Sequence, residues 1–256
     1  MCAWARNPQL IRNALTLQAS VISVNFQGGR NPADGPDVHS DQFAGYIVAS
    51  EWDNVQDNWS QVGEANKSGS LLNMKDSSGS ATVVDLAYES FGTWDLQNGD
   101  GSGNNEDMMS GFLDNFGVGA SNLITFSDIS YAKYDVYVYF NRTSETYIGF
   151  SASDNAANNQ TLYARYSGAS YTDAEGFIVS EDSNVGDGWT SANVIKFSGF
   201  TGSSFTLDNA TNPGAPNSAG GYKSIISGIQ IVAVPEPSST SLIGLGALAC
   251  LLRRRR

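Results

Sequence analysis

Four tryptophans and one acidic, glycine-rich run hold the side chains best suited to chemistry in this chain. Trp52, Trp59, Trp94 and Trp189 each sit among polar, loop-forming neighbours. There an exposed indole could lie against the apolar side of a pyranose ring while amides and carboxylates satisfy its hydroxyls. The competing reading is burial, since a β-sandwich needs large side chains to seal its ends. Between Gly92 and Gly111 the chain carries Trp94-Asp95 and then Asn98-Gly99-Asp100-Gly101-Ser102-Gly103-Asn104-Asn105-Glu106-Asp107. Oxygen ligands spaced by turn-permitting glycines suit a hard cation, and Asp95, Asp100, Glu106 and Asp107 are the carboxylates a structural calcium ion would take. The run departs from the helical calcium loop: with Asn98, Asp100 and Ser102 in the first three ligand positions, Met109 stands where a bidentate Glu belongs. The competing reading is a solvated acidic loop.

Other chemistries have little to work with. The chain has a single histidine, His39, which leaves imidazole-based triads and zinc centres short of ligands. No nucleophile elbow, phosphate loop or metal-hydrolase helix occurs. Paired carboxylates acting on glycosidic bonds are the one enzymatic scheme left. With 26 acidic residues to choose from, no particular pair stands out. The expectation is a non-enzymatic protein, the alternatives being a polysaccharide-acting enzyme that uses acidic residues or a calcium-dependent adhesin.

Charge narrows the partners. Val21 to Ala233 holds 8 basic and 25 acidic residues, a net charge of −17. Such a surface repels phosphate backbones, so nucleic acid is excluded as a partner, while neutral sugars and cations remain compatible. The two cysteines, Cys2 and Cys250, lie near opposite ends, so the segment between them is expected to hold together by burial rather than by a disulfide.

The chain around these groups is patterned as strands. Ile22, Val24 and Phe26 alternate with Ser23, Asn25 and Gln27 before Gly28-Gly29, the period of a strand with one buried face. Tyr46 to Ser50, Ser70 to Met74 and Ala81 to Tyr88 read as further strands, and Glu51 to Ser60 as an irregular turn. Asp107 to Asp114 is the best candidate for a short helix. Asn122 to Phe126 and Tyr134 to Phe140, joined around Ser130 to Lys133, read as a hairpin. Its second strand sets Val136, Val138 and Phe140 against Tyr137 and Tyr139, so the tyrosine face is either exposed or packed under a loop. Thr146 to Ser151, Thr161 to Arg165, Gly176 to Val179, Val194 to Phe197, Ser203 to Leu207 and Ile225 to Val232 bring the count to about ten or eleven. Polar clusters rich in Gly, Asn and Ser separate them, as in an all-β antiparallel sandwich with long polar loops.

Residues 234–256 have a different character. Pro235, Glu236 and Pro237 precede an apolar run from Leu242 to Leu252, which includes Ile243, Leu245, Leu248 and Leu251, and then Arg253, Arg254, Arg255 and Arg256. As a helix the run spans roughly 17 Å, well short of a roughly 30 Å hydrocarbon layer. Fixed arginines at its end stay on the cytoplasmic side and leave the preceding chain outside. These three blocks resemble the PEP-CTERM sorting signal of exosortase-processed proteins. The resemblance implies an exosortase-type processing enzyme as partner, transient anchoring in the inner membrane, and delivery to the cell envelope or extracellular matrix.

A second resemblance covers the body. Asp107 to Asp114, Tyr134 to Phe140 and Ser227 to Val232 resemble a jelly-roll module of exported PEP-CTERM proteins, itself similar to galactose-binding-like sandwiches. It implies loops at one end that bind sugars and, in many members, a structural calcium. The domain plan expected is therefore a poorly ordered segment 1–20, a β-sandwich 21–233 and a sorting segment 234–256. Residues 1–20 lack the uninterrupted apolar stretch of an export signal, so either the signal is degenerate or the true start lies upstream. The function expected is a structural or carbohydrate-binding component of the envelope or matrix, with extracellular polysaccharide as its other partner.

Overall fold

The structure is a computed structural model that describes residues 20–28, 43–49, 52–57, 67–90, 92–96, 105–114, 122–141, 146–166, 171–172, 174–184, 190–209 and 225–235. The chain divides into two units, residues 20–234 and the terminal segments 1–19 with 235–256. Every element below belongs to the first.

In chain order the strands begin with β1 (Val21–Gly28), β2 (Trp52–Asp57), β3 (Lys67–Leu71), β4 (Asp85–Ser90) and β5 (Gly92–Asp95). A short helix α1 (Asn105–Ser110) follows, then β6 (Gly111–Asp114), β7 (Leu123–Ser127), β8 (Tyr134–Tyr139), β9 (Thr146–Asp154) and β10 (Asn159–Tyr166). The chain closes with β11 (Val179–Ser180), β12 (Val194–Phe200), β13 (Phe205–Asn209) and β14 (Gly228–Ala233). One sheet has the order β11-β12-β8-β14-β1-β2, the other β10-β9-β13-β7-β4-β3, and β5 and β6 form a separate ribbon. Pairing is antiparallel except between β1 and β2 and between β11 and β12. This is the expected all-β sandwich, with fourteen strands among the described residues rather than ten or eleven.

The core lies between the two large sheets. Ile22, Val24, Phe26, Val136, Val138, Ile195, Phe197, Ile229 and Ile231 of the first meet Leu86, Ile124, Phe126, Ile148, Phe150, Phe205 and Leu207 of the second. Aromatic pairs bridge the layers: Phe26 to Tyr88 at 6.0 Å, Phe140 to Tyr166 at 6.2 Å, and Phe200 to Phe205 at 5.2 Å. Each such side chain stabilises the fold by roughly 1.5–3 kcal/mol on burial.

Several expectations need correction. Leu123–Ser127 and Tyr134–Tyr139 are not a hairpin, because they lie in different sheets. The chain turns at Asp128, with φ 59°, buries Ile129, and crosses the sandwich. A short connection between two alternating strands serves a sandwich corner as well as a hairpin, so spacing alone does not separate them. Residues 52–57, expected as an irregular turn, form β2, held by register with β1 from Ser23↔Trp52 to Gly28↔Asp57. Pairing to a buried neighbour overrides their weak strand propensity. Ala44 and Ala49 make a bridge around the turn 45–48 instead of a strand at 46–50. The helix begins two residues earlier than expected and ends at Ser110, where β6 takes over. Both faces of β1 are buried, since Ser23 and Asn25 are as enclosed as Ile22 and Val24.

Candidate functional site

The enclosed polar face of β1 belongs to the outer surface of the first sheet, and the strand registers lay its side chains out in rows. Lys196 stands opposite Tyr137, Tyr137 opposite Gln230, Gln230 opposite Ser23, and Ser23 opposite Trp52. The next row carries Val194, Tyr139, Gly228 and Asn25. The turn 43–49 lies over these rows and is fastened to them by hydrogen bonds. Tyr46 N–H donates to the Tyr139 hydroxyl at 2.8 Å, and that hydroxyl donates to the Gln230 side-chain oxygen. Gln230 Nε2 donates to the Ile47 carbonyl at 2.9 Å and to Ser23 Oγ at 3.2 Å. Gly45, at φ 95°, closes the turn so tightly that a Cβ there would stand 2.7 Å from Gln230 Oε1.

Two buried asparagines tie α1 to the same face. Asn25 Nδ2 donates to the carbonyls of Met108 at 2.7 Å and Ser227 at 2.9 Å, and Asn141 Nδ2 donates to Met109 at 3.0 Å. They satisfy carbonyls of the last helical turn that have no partner within the helix. Asn105 Oδ1 accepts from Gly45 N–H at 2.8 Å, which joins the start of the helix to the turn.

Above this buried layer the turn holds an aromatic surface. Tyr46 stacks on Tyr137 with ring centres 5.6 Å apart and planes 27° apart. Tyr137 is buried, while Tyr46 remains 47% exposed. Lys196 Nζ also stands 5.8 Å from the Tyr137 ring centre. Its ammonium reaches Asp135 Oδ2 at 3.4 Å and Glu181 Oε1 at 3.3 Å. Burial pushes the Tyr137 phenol above its ordinary value, against the opposing pull of Lys196. For Lys196 burial acts downward, and the negative surroundings of Tyr137, Asp135 and Glu181 win, raising its pKa.

The expected site residues fare differently. Trp52 is buried, its Nε1 donating to the Ala49 carbonyl at 3.1 Å and its ring edge-on to Tyr139 at 6.1 Å. It supports the turn from below and offers no open face to a sugar. Trp94 pairs with Phe112 in the β5–β6 ribbon. Trp59 and Trp189 lie outside the described residues. Asp95 ends β5, opposite Gly111, while Glu106 and Asp107 lie in the first turn of α1, with Asp107 buried. Asp100 lies outside the described residues. Among the described residues no three His, Cys, Asp or Glu side chains group as metal ligands. Pro235 is exposed, just past the last strand, and Glu236, Pro237, the apolar run and the four arginines lie outside the described residues. Among those described, no helix is long and apolar enough to cross a membrane.

The residues that sequence reasoning missed are Tyr46, Lys196, Asp135, Glu181 and Gln230. The available signal was the Val/Tyr alternation in β8, which marks a second covered face; the structure covers it with the turn 43–49.

A profile of the PEP-CTERM protein-sorting motif matches residues 233–256. The chain carries a PEP-CTERM sorting signal. That signal begins where β14 ends at Ala233 and marks an exported protein, recognised by an exosortase processing system and processed at the envelope. No curated protein matches the chain. Among solved structures, an exo-β-1,3-galactanase from Phanerochaete chrysosporium, crystallised with galactose, is similar at 13% identity with a TM-score of 0.29. The similarity covers 60% of this chain and 35% of the galactanase chain.

Proposed function

We propose that the body delivered by the PEP-CTERM signal is a non-enzymatic, carbohydrate-binding structural component of the cell envelope or extracellular matrix, tethered in the inner membrane until its tail is removed. The observation that carries this reading is the half-exposed Tyr46 ring, held rigidly on Tyr137 by a buried hydrogen-bonded layer. An aromatic face fixed in advance loses little conformational freedom when it meets a ligand. Two carboxylates approach this surface, Asp135 and Glu181, and both are engaged by the Lys196 ammonium. That arrangement suits hydroxyl recognition better than proton transfer.

The test is co-sedimentation of the secreted protein with the host cell's own extracellular polysaccharide, with reducing ends assayed in the same tubes. Retention in the pellet without release of reducing ends is expected. A protein that stays in the supernatant would sink the binding role, and steady liberation of reducing ends would sink the non-enzymatic one. Replacing Pro235, Glu236 and Pro237 by alanine should strand full-length protein in the membrane fraction; unchanged processing would remove the envelope assignment.

A further inference from the structure

We infer that the row Tyr46–Tyr137–Lys196–Glu181 binds a chain of neutral pyranoses, one sugar ring stacked on Tyr46 and the hydroxyls of an adjoining ring met by Lys196 and Glu181. This rests on the carbohydrate-binding reading above and names its ligand class.

Tyr46 stacks on Tyr137 and remains 47% exposed, and flat aromatic surface fits the C–H face of a pyranose. From Tyr46 to Lys196 the row spans two successive separations, 5.6 Å between ring centres and 5.8 Å from ring to ammonium. Two separate contact points, an aromatic face and an ammonium, suit adjoining units of a sugar chain better than one ring.

A lysine ammonium has three N–H donors, and two of them point to Asp135 and Glu181. The Glu181 side chain is 59% exposed, which leaves its second carboxylate oxygen to accept from a hydroxyl. One donor beside one acceptor is the pairing that vicinal hydroxyls require.

Charge separates neutral from acidic sugars. One ammonium meets two carboxylates here, on a body whose net charge is −17. A uronate or sulfate would face a lysine already neutralised and a surface of its own sign.

The experiment uses the secreted protein and isothermal titration with hexaoses of glucose, galactose and mannose, glucose itself, and an alginate hexamer. At least one neutral hexaose is expected to bind roughly tenfold or more tightly than both glucose and alginate. Tyr46→Leu, which keeps the turn covered but removes the flat face, should weaken that binding about tenfold, and Lys196→Met several-fold, with melting temperature unchanged within a few degrees. Tyr46→Phe should bind as the parent does. Alginate binding more tightly than every neutral hexaose, and weakened by Tyr46→Leu, would overturn the neutral class and leave the site standing. Binding that ignores Tyr46→Leu would overturn this site and leave the carbohydrate-binding reading standing; no binding to any probe would overturn both.

Discussion

The Tyr139 phenol and the Gln230 side-chain amide sit diagonally across β8 and β14, and the phenol donates to the amide oxygen inside a fully buried layer. Each partner also holds the turn 43–49: the phenol accepts from Tyr46 N–H and the amide donates to Ile47. Gln230→Leu therefore leaves the phenol without its acceptor and the Ile47 carbonyl without its donor. Unmet buried groups cost about 1–3 kcal/mol each, and at this chain length each kcal/mol moves the melting point about 2–4 °C. Tyr139→Phe should cost less alone, and the pair should be non-additive in a double-mutant cycle. Additive losses would show that the two side chains do not act as one unit.

Gly45→Ala tests the same turn from its backbone. At φ 95° an L side chain is strained, and the new Cβ would press on the Gln230 amide from 2.7 Å. The variant should lose at least about 1 kcal/mol and weaken polysaccharide binding, because Tyr46 follows Gly45 directly in the chain. A melting curve superimposable on the parent's would show that the turn is not pinned.

Asp154 fastens the β9–β10 turn to the β12–β13 turn. Its carboxylate accepts from Asn158 Nδ2 at 2.7 Å, from the amides of Ala156 and Asn158 at 2.9 Å, and from the amides of Thr201 and Gly202 at 3.0 Å. Burial pushes this carboxyl up, but the hydrogen bonds from Asn158, Thr201 and Gly202 outweigh it and bring the pKa down from 3.8 to about 2. A carboxyl depressed on folding contributes stability that is complete above its unfolded pKa and lost as pH falls through the folded one. Thermal stability of the parent should accordingly decline between about pH 4 and pH 2, and Asp154→Asn should flatten that decline. At neutral pH the cost of Asp154→Asn should be about 1 kcal/mol, below the usual range for charge-assisted bonds because solvent screens this turn. Parallel pH profiles for parent and variant would refute the assignment.

The alternation of valine and isoleucine against polar residues made the sandwich legible, because burying one face of each strand requires it. It also located the buried hydrophobic sides of β1 and β8. What it concealed was the second burial. Ser23, Asn25 and Gln230 have the polarity of solvent-facing residues, yet they are enclosed because each finds hydrogen-bond partners beneath the turn 43–49 or beside α1. The polar sequence neighbours that made Trp52 a candidate sugar platform say nothing of Tyr139, 87 positions away, against which its ring packs. Tyr46 escaped notice because its role depends on Tyr137, a partner 91 positions away.

Alkali should act through the tyrosines. Burial raises the phenol pKa values of Tyr131, Tyr134, Tyr137 and Tyr139 above the ordinary 10.0. A phenol whose pKa is raised on folding contributes stability that is full below its unfolded value and lost as pH rises through the folded one. Ultraviolet titration of phenolate should show a subset of the 11 tyrosines ionising late and steeply, together with loss of near-ultraviolet circular dichroism. In denaturant all should titrate near 10. One shallow step near 10 in the native protein would contradict the buried tyrosine layer.

The body's backbone ladder ends where the sorting signal begins in the sequence, and tail removal should leave the fold intact. Ala233 N–H donates to the Ser20 carbonyl and Val234 N–H to the Lys133 carbonyl, both at 2.9 Å, whereas exposed Pro235 has no N–H to give. β14 is central in its sheet, paired with β1 on one side and β8 on the other, and it buries Ile229 and Ile231 completely. A chain stopped after Pro235 should melt within about 2 °C of the full-length protein, a shift worth less than about 1 kcal/mol. Stopping after Val232 removes the two terminal hydrogen bonds and should cost about 1–3 kcal/mol. A stop after Gly228 takes a central strand from two neighbours and should abolish folding, read as loss of the melting transition. If the chain ending at Pro235 instead melted far below the parent, the processed tail would be part of the fold, and cleavage at the envelope would destabilise the protein it releases.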